Sequence, residues 1–315
     1  MNKPLKVGVI GVGSLGQWHA RIYSENKAVE LVGVYDVNPV RAAEIAARYS
    51  TKPFDSVEAL AGVIEAASVA VPSDKHFEVA NILFEHGVHT MVEKPIASTT
   101  EQAEAMVGTA EKKGLILQVG HVERFNPVMK YLEGILLTPR FIEAVRLSPY
   151  PIPAPGAPAR GTDVSVVHDL MIHDLEIILH LVQSPVKEIH AIGVPVLSKT
   201  EDIANVRLCF ASGCVANITA SRISIKKNRK IRVFQENTYV SLDYQNQSGE
   251  LYRNTPAGIT IEQVPIEKSD PLTDELGTFV QCVIHRNEPV VSGRHASEAL
   301  RLAVAIRKCI QAGGS

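Results

Sequence analysis

The chain has 315 residues, 45% hydrophobic and 21% charged, which is enough to bury two cores of ordinary size and excludes a disordered tail. Thirty-two basic side chains against thirty-four acidic ones leave a net charge of -2, so no global field draws the chain to nucleic acid or to an anionic membrane. An anionic ligand has to be held by a local site. Cys209, Cys214, Cys282 and Cys309 form no CxxC pair and are too few and too spread for a disulfide framework, so they read as reduced packing residues.

Met1 to Pro4 lead straight into an apolar run without the pattern of an export signal, and no apolar run approaches the ~18 residues of a membrane span. A cytoplasmic protein is the expectation. The first 120 residues alternate β-rich apolar runs at 5–10, 30–35, 66–71, 88–92 and 115–119 with helical spacing at 15–26, 39–49, 75–87 and 99–114. That rhythm predicts a parallel sheet covered by helices on both faces, with Gly87 and Gly114 as helix stops.

After residue 120 the pattern changes to one helix and a strand at 141–147. The stretch 148–163 follows, where five prolines and two glycines prevent regular structure. An amphipathic helix at 165–182 leads into consecutive β-rich runs at 186–264, the pattern of a mostly antiparallel sheet, and two helices at 271–286 and 295–312 close the chain. The expected class is α/β: a doubly wound Rossmann domain over 1–120, and an α+β domain with a large, mostly antiparallel sheet over 121–315.

Gly11, Gly13 and Gly16 form a GxGxxG pattern directly after a strand and at the start of a helix, with Ser14 and Leu15 inside the turn. Gly11 permits the tight turn, Gly13 lets a pyrophosphate approach the backbone, and Gly16 lets helix pack on strand, so the phosphates lie at the helix's positive end. Asp36 ends the second strand, twenty residues after Gly16, where its carboxylate can bind both adenosine ribose hydroxyls. That favours NAD over NADP, although Arg41 is close in sequence. Glu93-Lys94-Pro95 follows a predicted parallel strand at the sheet edge where ligands gather, and taken alone it equally suits a solvated charge pair. Asp169 and His173 are spaced i, i+4 on one helical face, and a histidine exchanges protons near neutral pH. The spacing also suits a metal pair, but no further ligand follows at recognisable spacing, so no metal is expected; a packed structural histidine is the plain alternative.

In their order these motifs resemble the Gfo/Idh/MocA oxidoreductases. The likeness runs through the GxGxxG turn, Val71-Pro72 with His76, Glu93-Lys94-Pro95, Gly120 to Arg124-Phe125-Asn126-Pro127, Asp169 with His173, and Val291-Ser292-Gly293. It implies that Lys94 binds the substrate hydroxyl and helps relay its proton, that His173 is the general acid/base, and that Asp169 orients it or binds a sugar hydroxyl. It also implies that Val71, Pro72, Ser73, His76, Glu93 and Gln118 line the cofactor. The stretches 118–127 and 163–174 are most similar to family members that oxidise the 3-hydroxyl of UDP-N-acetylglucosamine in lipid A biosynthesis. Arg124, Asn126, Arg146 and Arg160 are then the candidates to hold the sugar nucleotide, arginine being suited to diphosphate. By the same resemblance the second domain's sheet pairs copies of the chain into a homodimer or homotetramer.

Two rival readings differ in what they require. An inositol or free-sugar dehydrogenase shares the chemistry but uses no nucleotide handle. A non-catalytic NAD(H) sensor shares only the cofactor site, and the presence together of Lys94, Asp169 and His173 argues against it, since a sensor has no need of a proton relay.

Overall fold

The computed structural model describes residues 3–136, 138–151 and 164–313. They divide into two compact units, Met1–Val122 with Asp270–Ser297, and Glu123–Ser269 with Glu298–Ser315.

The first unit begins with β1 (Leu5–Ile10), α1 (Gly16–Glu25), β2 (Val29–Tyr35), α2 (Pro39–Arg48), β3 (Lys52–Pro53) and α3 (Val57–Ala61). It continues through β4 (Ala66–Val69), α4 (His76–Glu85), β5 (His89–Glu93), α5 (Thr100–Lys112) and β6 (Leu117–Gly120). The six strands are all parallel, in the order β3-β2-β1-β4-β5-β6. Because the chain builds outward one way from β1 and then returns to its other side, a crevice opens beyond the carboxyl ends of β1 and β4, where doubly wound sheets bind ligands. Local signals set the helix ends. Asn38 caps α2 by accepting from the Val40 and Arg41 amides, with Pro39 next in the chain, and Thr99 caps α5 through the Gln102 amide. Gly87 and Gly114 stop their helices at φ of 74° and 65°.

Helix α8 (Pro271–His285) belongs to this unit. Its Leu276, Phe279, Val280 and Val283 share a core with Val7, Val9, Tyr23 and Val34. A division of the chain at residue 120 therefore leaves out a piece that returns: the apolar stripe of α8 is buried on the first sheet, which no local pattern reports.

In the second unit, α6 (Pro127–Ile135), β7 (Phe141–Leu147) and α7 (Ile172–Val182) precede seven further strands. These are β8 (Val186–Val194), β9 (Ile203–Phe210), β10 (Val215–Ser221), β11 (Asn228–Gln235), β12 (Thr238–Asp243), β13 (Ser248–Thr255) and β14 (Gly258–Gln263). The sheet runs β14-β13-β12-β11-β7-β10-β9-β8 and is antiparallel except where β7 lies parallel to β10. Period-two alternation sends Ile142, Val206, Leu208, Ile218, Ile231, Val233 and Leu242 to one face, where α7 contributes Leu175, Ile178 and Leu181 to the same core. Helix α9 (Gly293–Gln311) starts in the first unit and adds Leu302, Ala303 and Ile306 to this core. The other face carries a ladder of rings. Phe141 and Phe234 lie 5.6 Å apart, Phe234 and Tyr239 4.5 Å, and Tyr239 and Tyr252 4.8 Å, one ring from each of four adjacent strands.

The helix expected at 165–182 has two parts. A wider π-helical turn over Val167–Met171 leads into α7, which ends at Gln183 in the left-handed conformation. Such widened turns recur at functional sites, and this one carries Asp169.

Candidate active site

The glycine turn shows three different reasons for glycine. Gly11 has φ of 81°, and a Cβ there would meet the Ala70 carbonyl oxygen at 2.8 Å. On Gly16 a Cβ would fall 1.8 Å from the Gly11 carbonyl oxygen, so the close packing of α1 on the turn demands glycine. At Gly13 a Cβ would meet nothing within 4 Å. Packing within the chain does not require that glycine; the open space above it fits a ligand backbone drawn close, as the pyrophosphate of a dinucleotide is. Helix α1 has no acidic residue in its first turn and no side-chain cap, which leaves its positive end suited to phosphate.

Asp36 holds this turn together. One carboxylate oxygen accepts from the Val12 amide at 2.9 Å and the other from the Asn38 amide at 2.9 Å, and each keeps a further lone pair for a ribose hydroxyl. Arg41, the residue able to receive a 2'-phosphate, is tied down instead: it donates to the Val12 carbonyl at 3.0 Å, to Gln17 at 3.0 Å and to Glu44 at 2.8 Å.

Further along the same sheet edge, Val71, Pro72 and Ser73 follow β4, with Pro72 exposed and the other two half-buried. His76 differs from the expectation that it lines the cofactor. Its ring is 1% exposed, and its two nitrogens lie 2.9 Å from the Pro95 carbonyl and 3.0 Å from the Val71 carbonyl, so it fastens the loop after β4 to the loop after β5. Burial, the larger influence, holds its pKa below the usual value against the pull of both carbonyls, and one tautomer then serves one of them. Glu93 is likewise turned inward. It pairs with the buried His19 ring at 3.3 Å and accepts from the Lys94 amide at 3.3 Å, while the Lys94 side chain is half-buried. Burial pushes the Glu93 carboxyl up, but the nearby His19 ring and Lys94 outweigh it and hold the group below the usual carboxyl range. Gln118, also expected at the cofactor, is wholly buried and donates its amide to the Glu275 carbonyl at 3.1 Å.

In the second unit Asp169 and His173 are both half-buried, Asp169 on the π-helical turn and His173 on the first turn of α7. The entry to this segment is latched. Arg222 donates to the Val164 carbonyl at 2.7 Å and to Asp202 at 2.7 Å, and Asp202 also accepts from the consecutive amides of Val196, Leu197 and Ser198. Five donors on one carboxylate hold Asp202 far below the usual carboxyl range despite the opposing effect of burial.

The arginines expected to hold a diphosphate require correction. Arg146 is 3% exposed and donates to Asp174 at 2.7 and 3.0 Å and to Glu123 at 2.9 Å. Arg124, also buried, donates to Glu176 at 2.7 Å and lies 3.5 Å from Glu133. Asn126 caps α6 through the Val128 amide and donates to Glu123 and to the Tyr244 carbonyl. All three hold the second unit together. Arg160 lies outside the described residues. The signal was present for Arg146: alternation along β7 puts Ile142, Ala144 and Arg146 on one face, so an arginine in that series has to find buried carboxylates. Glu275, next to Leu276 and four residues before Phe279 on the apolar stripe of α8, carried the same signal and was missed, as was His19 on α1.

Comparison with known proteins identifies the family. Residues 5–121 match the oxidoreductase family with an NAD-binding Rossmann fold, and residues 133–240 match the GFO/IDH/MocA C-terminal domain. The UDP-N-acetylglucosamine 3-dehydrogenase of Acidithiobacillus ferrooxidans is 34% identical over 98% of each chain, and its solved structure superposes with a TM-score of 0.92 over the whole of both chains. The myo-inositol 2-dehydrogenase of Thermotoga maritima is 24% identical over 98% of this chain and 96% of its own. With the dinucleotide turn, the Glu93-Lys94-Pro95 edge and the eight-stranded second sheet in place, the chain belongs to the Gfo/Idh/MocA family of NAD-binding oxidoreductases.

Proposed function

We propose that this enzyme is an NAD-dependent dehydrogenase that oxidises the 3-hydroxyl of UDP-N-acetylglucosamine to the 3-keto sugar nucleotide. The observation that carries this is the end-to-end likeness to a 3-dehydrogenase of that substrate, at 34% identity over 98% of each chain. NAD is favoured over NADP by Asp36 at the ribose position and by Arg41 being bound to three acceptors of the chain itself. The bound cofactor supplies the hydride acceptor, a nicotinamide carbon.

The protein's own groups do the rest. Gly13 and the start of α1 seat the pyrophosphate, Asp36 holds the ribose, and His76 keeps the two loops that flank the crevice in register. Lys94 binds the carbinol oxygen and stabilises its developing negative charge, while His173 takes the proton and Asp169 orients it. The balance is one carbinol and NAD+ giving one ketone, NADH and one proton. A separate transaminating enzyme is suited to consume the keto product, as lipid A assembly would require. The reading places the enzyme in the cytoplasm, and among the described residues no helix is long and apolar enough to cross a membrane. The ring ladder on the outer face of the second sheet supports pairing with a second copy through two-fold symmetry, a dimer or tetramer, which sedimentation analysis separates from a monomer.

The test is NADH formation with UDP-N-acetylglucosamine, free N-acetylglucosamine and myo-inositol offered separately, with a carbonyl trap to pull the equilibrium. Turnover of the sugar nucleotide alone is expected. Turnover of free polyol instead replaces the substrate and keeps the dehydrogenase, whereas tight NADH binding with no turnover of any of them favours a sensor.

A further inference from the structure

The diphosphate of a sugar nucleotide calls for cations, and Arg124 and Arg146 are engaged with buried acids. The second unit offers others where β10 passes to β11. Ser221 at the end of β10 and Asn228 at the start of β11 are both register partners of Leu147, the last residue of β7, one on each side of it. The connection 222–227 therefore arches over the end of β7. That end of the sheet also carries the residues assigned to proton transfer. Asp174, the chain neighbour of His173, accepts from Arg146, which directly precedes Leu147, and the π-helical turn with Asp169 lies against β10.

Both ends of the arch are fixed. Arg222 is buried and donates to Asp202, to the Val164 carbonyl and to the hydroxyls of Ser198 and Thr200. The Ser224 amide donates to the Ser148 carbonyl at 3.1 Å and the Ser148 amide to the Ser221 carbonyl at 2.8 Å, while Asn228 enters the ladder between β11 and β7. Between these anchors Ile225, Lys226 and Lys227 are exposed, Ile225 at 95%, so the tip stands clear of the core. Its charges differ from those that follow along the strand. Arg229 pairs with Glu123 at 3.1 Å, Lys230 lies 3.9 Å from Asp243 and Arg232 pairs with Glu143 at 3.0 Å, but Lys226 and Lys227 have no ion-pair partner among the described residues.

We propose that the tip of the β10–β11 connection is the nucleotide handle of the substrate site, where the ammoniums of Lys226 and Lys227 hold the diphosphate of the sugar nucleotide. This rests on the sugar-nucleotide reading of the active site and gives that reading its residues. Two adjacent unpaired ammoniums on an anchored arch suit a diphosphate, since lysine meets phosphate as a point charge. Tip and catalytic helix are also tied together. Lys227 is at most ~7 Å of backbone from Arg229. Arg229 shares Glu123 with Arg146, and Arg146 holds Asp174 beside His173. A free sugar can reach His173 and Asp169 without touching the tip, so the lysines add binding that only a phosphorylated substrate uses. Binding of that kind is the same in the ground state and the transition state and appears in KM rather than in kcat.

The experiment uses the full chain, a double variant with Lys226→Gln and Lys227→Gln, and Lys230→Gln as a control that removes a charge from the same strand away from the tip. UDP is the binding probe, titrated calorimetrically with NADH saturating so that the dinucleotide turn is closed to it, and UDP-N-acetylglucosamine is the substrate. In the double variant the Kd for UDP and the KM for the sugar nucleotide are expected to rise roughly tenfold or more, with the loss in KM exceeding any in kcat, while the control stays within about twofold of wild type. Raising salt from about 0.05 to 0.5 M weakens UDP binding more in the wild type than in the double variant, because it screens the exposed charges. Equal UDP affinity in wild type and double variant, with the sugar nucleotide turned over by both, overturns the handle and leaves the dehydrogenase reading standing. So does an equal loss in the Lys230 control. A wild type that binds no UDP and turns over only free polyol is instead a failure of the sugar-nucleotide reading, and the handle goes with it.

Discussion

Each unit buries a cluster of charged side chains, and the two clusters are built on opposite terms. In the second unit Arg146 meets Asp174 and Glu123, and Arg124 meets Glu176, so each cation is matched to acids with direct hydrogen bonds. In the first, Glu93 has His19 and the backbone of Lys94, while Glu275 beside it has no partner among the described residues. A matched network repays desolvation through geometry and fixes how α7 and β7 lie on each other; an unmatched acid contributes nothing of that kind. The matched cluster contains residues that the sequence pointed to as ligands of the substrate, and the unmatched one contains Glu93, the chain neighbour of Lys94. On the proposed role of Lys94, charge pairing separates what holds the fold from what serves the reaction.

The sharpest test of that separation is Lys94→Ala, expected to lower kcat roughly 10²- to 10⁴-fold while NADH affinity, read by fluorescence titration, and the unfolding midpoint stay close to wild type. Arg146→Met should do the reverse to the matched network. Stranding Asp174, while Glu123 keeps Arg229 and Asn126, costs about 3–5 kcal/mol by denaturant unfolding, and wild-type stability in this variant would remove the network from the fold's support. Gly13→Val comes next, with NADH affinity falling roughly tenfold or more at constant thermal stability, because a Cβ there meets nothing of the chain within 4 Å and would enter the space proposed for the pyrophosphate. Asn126→Ala loses the α6 cap and two buried hydrogen bonds, and a cost of about 1–2 kcal/mol is expected; an additional change in KM for the sugar would return this residue to the substrate.

The smallest effect concerns pH. Burial pushes the Glu176 carboxyl up from 4.5 to about 7 against the opposing charge of Arg124. The folded chain therefore binds the Glu176 proton more tightly than the unfolded one, and its share of stability is lost as pH rises from about 4.5 towards 7. In Glu176→Gln the decline of the unfolding midpoint across that window should be shallower. An identical slope would mean that Arg124 keeps Glu176 ionised throughout.

Most of the first unit was legible because its signals are local. The glycine turn, the stops at Gly87 and Gly114 and the apolar strands each occupy a few consecutive residues, and all were found where they were read. The short β3 and α3 were not, since two residues including a proline and a single helical turn fall below any periodic pattern. Arg146, Arg124 and Asn126 were misread for a different reason. A residue type suited to phosphate is equally suited to a buried carboxylate, and only the positions of Asp174, Glu123 and Glu176 decide between them.

The sequence by itself determined the fold class, the glycine turn after β1, the Glu93-Lys94-Pro95 edge and the family, because backbone conformation and motif spacing are properties of neighbouring residues. Tertiary structure alone decided that α8 returns to the first sheet, that His76 fastens two loops, that the arginines face inward and that Glu275 lies unpaired beside Glu93. Each of those depends on groups brought together from distant parts of the chain, and the energy of a buried charge is set by what surrounds it in space.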